Sequence, residues 1–474
     1  MKIRLGLGEI TMKDVARYCG GELYDYTTDS GCSVEYVCTD SREADAETLF
    51  VATRGERVDG HDYIISALDR GCRCVLCEYV PTDIAGREAA FVTVDNSFDA
   101  FALTARGYRE NKPLKTVAIT GSVGKTTTKE LTASILRRAT SLYATTGNFN
   151  SVIGMPMSLM EVGEDRDTAV FEMGMSAFGE IRSMTRAAAP SIAMVVNVGS
   201  SHLEYLKSRD NIAKAKLEIA EGLCEGGVLL LNGDEPLLRK YAKKGKYSIL
   251  YVGIENKENC EIYAENINVC NDGTQFDLNF RGRKISSLKT NLIGKQFVYN
   301  ASFAAAAALL MGISEDDVRA GLLEYIGGAM RQNITDRNGI TVISDCYNAA
   351  PESMRAAIDT LCARGCEGKR IAVLGDMREL GEKSDEMHRE IGDYVVRNRI
   401  DVLFTLGESG AYIAESAILR GMNPRNVFAE RNTENIDRLC AEIEGRMAEG
   451  DVVLFKASRG VALERVIDRL FNKE

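Results

Sequence analysis

The ten residues Ile119–Thr128, reading ITGSVGKTTT, constrain this chain more than any other stretch. The apolar run Thr116-Val-Ala-Ile119 before them reads as a strand, and from Thr127 to about Arg138 the sequence reads as a helix. Strand, glycine turn and helix, in that order, are the setting of a phosphate-binding loop. Gly121 and Gly124 let the backbone curl so that its amides, those of Ser122 and Val123 among them, converge on an anion. The helix N-terminus, beginning with Thr127, adds a partial positive charge. Lys125 is placed to bridge β- and γ-phosphates, and the Thr126 hydroxyl to ligate Mg²⁺. The commoner loop has its first glycine five residues before the Gly-Lys pair; Ile119 stands there instead. This loop is therefore a shortened one, which argues against a motor or transport ATPase.

A chain of 474 residues implies two to four domains. Its formal charge of −11 argues against a nucleic-acid surface or an anionic membrane, so cations for a nucleotide must be gathered locally. The first residues, MKIRLGLGEITMKDV, mix charges into apolar positions and do not read as a signal peptide. The nearly uncharged run Ala301–Ile313 is shorter than the roughly 18 residues a bilayer needs, so no membrane insertion and a cytoplasmic location are expected. Thirteen scattered cysteines fit a reducing compartment. Cys72, Cys74 and Cys77 lack a second ligand pair nearby and read as buried thiols rather than a zinc site.

Residues 1–110 form a first unit with two polar loops, Thr39-Asp40-Ser41-Arg42 and Arg54-Gly55-Glu56-Arg57-Val58-Asp59-Gly60-His61. Such loops suit a nucleotide, with arginine for phosphate and Ser or Asp for sugar and base edges; on the residues alone they are equally two solvated turns. The second unit, 111–324, alternates strand and helix, which implies a parallel sheet with its ligand at the C-terminal strand ends. Glu172 follows a strand there, where an acid can hold Mg²⁺. His202, one of only three histidines, follows the strand ending near Val198, as a ligand or as a helix cap. Lys216 alone reads as a solvated helix lysine. Residues 256–289 look like an excursion of small strands, and Gly294–Met311 like a close-packed helix with Asn300 toward a ligand. The third unit, 325–474, repeats the strand–helix alternation as a Rossmann-like α/β domain, with polar clusters at Asp345–Pro351, Gly375–Met377 and Lys456–Arg459.

This constellation resembles the Mur ligase family over essentially the whole chain. TDSR and FVATRGERVDGHD resemble its uridine-nucleotide loops, and TGSVGKTTT its shortened ATP loop. GNFNSVIGMP, EMGMSAFGEI, NVGSSHLEYL and AKAKLEI are similar to its central signatures. DCYNAAPESM and VLGDMRELGEKSDEMH are particular to the MurF-type branch, which adds D-alanyl-D-alanine to a UDP-N-acetylmuramoyl tripeptide. The resemblance implies three α/β domains: a UDP-sugar-binding domain, a central P-loop-type parallel sheet, and a Rossmann-like domain for the amine and part of ATP. It implies Lys125, His202 and Lys216 as catalytic. Thr126, Glu172, His202 and Lys216 would serve two Mg²⁺ ions, with Lys216 carbamylated. Asn300 would meet adenine, Arg331 the γ-phosphate and Asp345 the ribose. Ser41, Arg42, Arg54, Gly55, Asp59, Gly60, His61, Asn148 and Asn150 would face the nucleotide-peptide. Tyr347, Asn348, Asp376, His388 and Lys456 would shape the dipeptide pocket of a monomeric enzyme.

Three positions depart from the family pattern. Gln296 and Phe297 stand where G-x-H-N is usual, Ser151 replaces a second asparagine, and Lys456-Ala-Ser458-Arg459-Gly460 replaces KGSRG. The alternatives are a ligase adding the third peptide residue, disfavoured by DCYNAAP, and a non-catalytic nucleotide-sugar-binding relative, disfavoured by the intact phosphate and metal residues. Folylpolyglutamate synthase lacks the UDP-binding unit.

Overall fold

The computed structural model describes residues 1–28, 32–55, 58–84, 86–328 and 330–472, and in it the chain builds three main sheets in sequence. The first runs Lys2–Arg4, Tyr36–Cys38, Thr48–Val51, Cys74–Cys77, Ala90–Thr93 and Glu22–Asp25 in spatial order. Its four inner strands are parallel and its two edge pairings antiparallel. Cys74–Cys77 is buried along its whole length. Cys72 and Cys77 lie in the core, where burial pushes the Cys77 thiol up to about 12.

The central sheet runs Leu142–Ala144, Thr168–Glu172, Lys115–Thr120, Ile192–Val195, Val228–Asn232, Ser248–Gly253, Ile262–Cys270, Gly273–Phe280 and Arg283–Thr290. The first seven are parallel, and the last two add antiparallel. The region expected as an excursion of small strands is therefore three long strands that extend this sheet. Its apolar residues, such as Ile262, Ala264, Phe276 and Leu278, fall at every second position and are buried, while the polar residues between them obscure the pattern. Helix Lys295–Leu310 packs on helix Lys125–Leu136, and the run Ala304–Ala308 between them is buried, small enough to let the two approach.

The third sheet runs Asn333–Arg337, Ile340–Ser344, Val452–Lys456, Arg370–Gly375, Val402–Leu406 and Val427–Glu430, parallel except for its first pairing. It has its own buried clusters on its two faces. One face of the central sheet, by contrast, shares an unbroken core with the first sheet, from Ile3 and Leu49 to Phe171 and Leu231. No helix among the described residues is long and apolar enough to cross a membrane.

Candidate active site

Register places the functional loops side by side. Glu172 lies opposite Ile119, and Val195 opposite Thr120, so the glycine loop, Glu172 and Asn197 all leave neighbouring parallel strands at the same edge. That edge opens into a cavity of about 820 Å³, closed on its far side by loops of the third sheet. Parallel sheets bind ligands at this end because their loops and helix N-termini converge there.

The glycine loop is held from two sides. Gly124 has φ +82°, a left-handed conformation that favours glycine, and a side chain there would strike Asn300. Asn300 donates to the Gly124 carbonyl at 2.9 Å and to Thr128 Oγ1 at 2.8 Å. Its amide nitrogen is thus committed to the loop, while the residue itself lines the cavity. Asn197, which the sequence reading passed over, accepts from the Ser122 and Val123 amides at 2.9 Å each and donates to the Val123 carbonyl at 2.7 Å. Helix Lys125–Leu136 carries no side-chain cap, so the amides of its first turn, Thr126 and Thr127 included, are left for an anion. Lys125 folds back onto the Gly121 carbonyl at 2.8 Å. Desolvation lowers its pKa; Arg331 nearby acts in the same direction, and Glu172 and Glu379 oppose it.

Thr126 Oγ1 donates to Glu172 Oε2 at 2.7 Å, and Asn150 Nδ2 donates to Oε1 at 2.9 Å. A hydroxyl and an oriented carboxylate beside a phosphate loop fit one Mg²⁺, which binds few protein oxygens and completes its shell with phosphate and water. Among the described residues no group of three or more His, Cys, Asp or Glu side chains is arranged to hold a metal ion. A second ion at His202 and Lys216 fits only if Lys216 is converted to an anion. His202 has φ +65° and its Nδ1 lies 2.7 Å from Glu379 Oε2, outside hydrogen-bonding angles.

Lys216 is not a solvated helix lysine. It is 1% exposed on helix Arg209–Leu217, and no described residue accepts from its Nζ or pairs with it. Burial lowers its pKa well below the ordinary value, with Lys125 adding to the effect. Both effects favour the uncharged form of the amine.

The third sheet contributes from the opposite wall. The Arg331 guanidinium lies 4.0 Å over the Tyr347 ring, and the Tyr347 hydroxyl donates to Asn148 across the seam. Lys456 donates to Asp345 Oδ2 at 2.6 Å and to the Asn348 carbonyl at 3.0 Å. Ser200 donates to Glu352 Oε1 at 2.9 Å. Gln296 reaches Thr360 Oγ1 on helix Pro351–Ala363 at 3.2 Å, and Ser151 accepts from Gly154 at the start of helix Gly154–Glu161. Two of the departures from the family pattern thus have local structural roles.

Other expected pocket residues are scaffolding. His388 is fully buried, accepting from the Met377 amide at Nε2 and donating from Nδ1 to the Ser384 carbonyl. Asp376 accepts from the Gly410 amide at 2.7 Å, at the start of helix Gly410–Leu419. His61 is buried, with Nδ1 on Asp59 and Nε2 accepting from the Glu78 amide. Both histidines have their two ring nitrogens committed within the fold, and Asp376 has one carboxylate oxygen committed; none of the three lines the cavity. Arg42 is committed to Asp40, and Arg54 to Asp59 and Glu78. Ser41 is buried, and Gly60 packs against the Thr53 backbone as Gly55 does against Val58. None of these first-unit residues lines the 820 Å³ cavity. Glu56 and Arg57 of that loop lie outside the described residues.

The chain matches three family models in order: Mur ligase family, catalytic domain, over 33–108; Mur ligase middle domain over 119–308; and Mur ligase, glutamate ligase domain, over 330–459. It is 36% identical to the UDP-N-acetylmuramoyl-tripeptide--D-alanyl-D-alanine ligase of Bacillus subtilis, over 98% of each chain. The chain belongs to the Mur ligase family. Among solved structures, MurF from Acinetobacter baumannii superposes with a TM-score of 0.86 at 30% identity, over 99% of this chain and 100% of that one. MurF from Thermotoga maritima, determined in complex with ADP, superposes with a TM-score of 0.79 at 28% identity, over 92% and 97%. For a Mur ligase the sequence missed three cavity residues: Asn197, Glu352 and Glu379. Each lies inside a motif already quoted, but an asparagine after a strand and acids in a helix turn or a loop carry no spacing that marks them.

Proposed function

We propose that this chain is an ATP-dependent ligase that joins D-alanyl-D-alanine to UDP-N-acetylmuramoyl tripeptide, in the synthesis of peptidoglycan precursors. The observation that carries this reading is its full-length likeness to a ligase of that name, at 36% identity. The geometry supplies the chemistry. A carboxylate and an amine do not condense in water, so the carboxylate must first be activated. Transfer of the γ-phosphoryl group to the terminal carboxylate of the tripeptide breaks the terminal P–O bond of ATP and forms an acyl phosphate. The amine attacks the acyl carbon, and phosphate leaves from the tetrahedral adduct.

Two anions meet in the first step, so local cations decide its rate. Lys125 swings from the Gly121 carbonyl to the phosphates, and Arg331 covers them from the third sheet. Thr126 and Glu172 would hold one Mg²⁺, which offsets developing phosphate charge when bound. Lys216, buried and without a partner among the described residues, and with its pKa lowered by desolvation, is suited to add CO₂ at its nitrogen with loss of one proton, and the resulting carbamate with His202 would hold a second ion. Tyr347, Asn348 and Lys456 shape the amine side, and the wall they form keeps water from the acyl phosphate. Residues 1–110, 111–324 and 325–474 are taken as the nucleotide-sugar, ATP and amine units; the three family-model matches support these limits. Ser41, Arg42, Arg54, Asp59 and Gly60 would contact the uridine nucleotide only after their present pairings open. A cytoplasmic monomer is taken as the working state.

The test is phosphate release from ATP with the UDP-linked tripeptide, with and without D-alanyl-D-alanine, and mass analysis of the product. Dipeptide-dependent release with a UDP-pentapeptide formed is expected. Release that ignores the dipeptide but responds to a diamino acid would move the chain to the third-residue-adding branch. Binding without turnover would make it a non-catalytic relative.

A further inference from the structure

Two carboxylates from the third sheet's side of the cavity land on one turn of the central sheet's side. Glu352, in the first turn of helix Pro351–Ala363, accepts from Ser200 and packs against Gly199, where an added Cβ would sit 2.9 Å from its carboxylate carbon. Glu379 lies 2.7 Å from His202, and its carbonyl accepts from the Glu204 amide at 3.1 Å. Both therefore rest on residues 199–204, the turn that presents His202 to the phosphate loop.

Each keeps an oxygen without a protein donor. Glu352 Oε2 is buried and unpartnered, and no described residue donates to Glu379 Oε1. Of the other acids of this cavity, Glu172, Glu180, Asp234 and Glu235 each have both oxygens bonded, and Asp345 is held through Oδ2 by Lys456. For Glu352, a buried carboxylate oxygen left unbonded costs roughly 1–3 kcal/mol or more, so a donor is expected to complete it; the Glu379 carboxylate is exposed at the cavity. Glu379 is also delivered at some cost. It is a non-glycine residue at φ +64°, in a loop fastened by His388 on Met377 and by Ser458 on Arg378.

We infer that Glu352 and Glu379 form the ammonium-binding subsite for the incoming amine, an inference that rests on the ligase reading above. The dipeptide arrives with a positive N-terminus, and the cavity's cations face phosphates on the opposite wall. These two acids are the ones with unfilled acceptors beside the turn where the acyl phosphate forms. Docking is of the ammonium; the nucleophile is the amine left after one proton passes to water.

The test compares Glu379→Gln, Glu352→Gln and the parent enzyme with two nucleophiles, D-alanyl-D-alanine and hydroxylamine. Hydroxylamine is uncharged at neutral pH and converts the acyl phosphate to a hydroxamate and phosphate without needing an ammonium site. Loss of a charge-assisted bond should raise the KM for the dipeptide about 10- to 100-fold in Glu379→Gln, with a smaller rise in Glu352→Gln. The ratio of hydroxamate formation to ligation, measured at a fixed low dipeptide concentration, should rise by a similar factor. Hydroxamate formation in the variants also reports that they fold. If ligation and hydroxamate formation fall together, the acids act on the phosphoryl-transfer step and the assignment is overturned. An unchanged dipeptide KM overturns it as well. A parent enzyme that makes neither hydroxamate nor UDP-pentapeptide from the tripeptide and ATP would instead sink the ligase reading, without reference to either variant.

Discussion

Two lysines, each 1% exposed, sit in opposite circumstances. Lys456, ending the strand Val452–Lys456, donates to the Asp345 carboxylate and to two carbonyls. Lys216, on helix Arg209–Leu217, has no partner among the described residues. A third buried lysine, Lys129, donates to the Thr145 carbonyl at 2.7 Å and pairs with Glu130. A buried ammonium is tolerated when paired, and is otherwise driven neutral. Lys456 and Lys129 are thus structural cations, and Lys216 is an amine kept reactive. The difference teaches where to look for chemistry: at the buried polar group whose needs the fold leaves unmet.

The largest effect should come from the lysine that must leave its resting partners to act. Lys125→Ala removes the cation from the phosphate loop, and ligation should fall by at least about 10²- to 10³-fold while the protein stays folded. A variant that keeps substantial turnover would remove Lys125 from the mechanism. Lys216→Met should lose activity on a comparable scale, yet melt at the same temperature as the parent or higher, since no bond is lost and a polar burial is relieved. A marked drop in melting temperature would mean that Lys216 has a structural partner and would break the contrast with Lys456.

Much of this arrangement was legible in the sequence. The phosphate loop announces itself because glycine, lysine and threonine at fixed spacing serve one geometry, and Glu172 follows from its place at a strand end. The strand Lys115–Thr120 lies where the apolar run before the loop placed it, because buried parallel strands read as apolar runs. What the sequence could not carry was pairing at a distance. His61 and His388 look like ligands in a motif, and only the fold shows both ring nitrogens of each committed within it. Asn197 and Glu352 are the converse, ordinary residues given a role by the loops they meet. The burial of Lys216 was hidden for the same reason: its helix is charged enough to look solvated.

Lys456→Met tests the other half of the contrast. It leaves Asp345 without its cation, so it should destabilise the protein by about 3–5 kcal/mol, the cost of breaking a buried pair from one side. Asp345 is partly exposed, which places the expected value toward the low end. Replacing both residues, Lys456→Met with Asp345→Leu, should recover part of that loss; no recovery would show that the pair is not the source.

The smallest effect belongs to His388, a buried group whose partners are all neutral. Desolvation lowers its pKa below the ordinary histidine value. As pH falls below about 6.5, the unfolded chain takes up a proton at this site that the folded chain resists. More protons bound in the unfolded state means that stability rises with pH across that window and is lost on acidification. His388→Leu strands the Met377 amide and should cost about 1–3 kcal/mol at pH 7.5. It also removes the acid-sensitive group, so the gap between variant and parent should narrow at pH 5.5. Urea unfolding at the two pH values measures both quantities. A gap that stays constant or widens in acid would show that His388 is charged in the folded protein, and the division between committed and uncommitted buried groups would then fail at the loop that delivers Glu379.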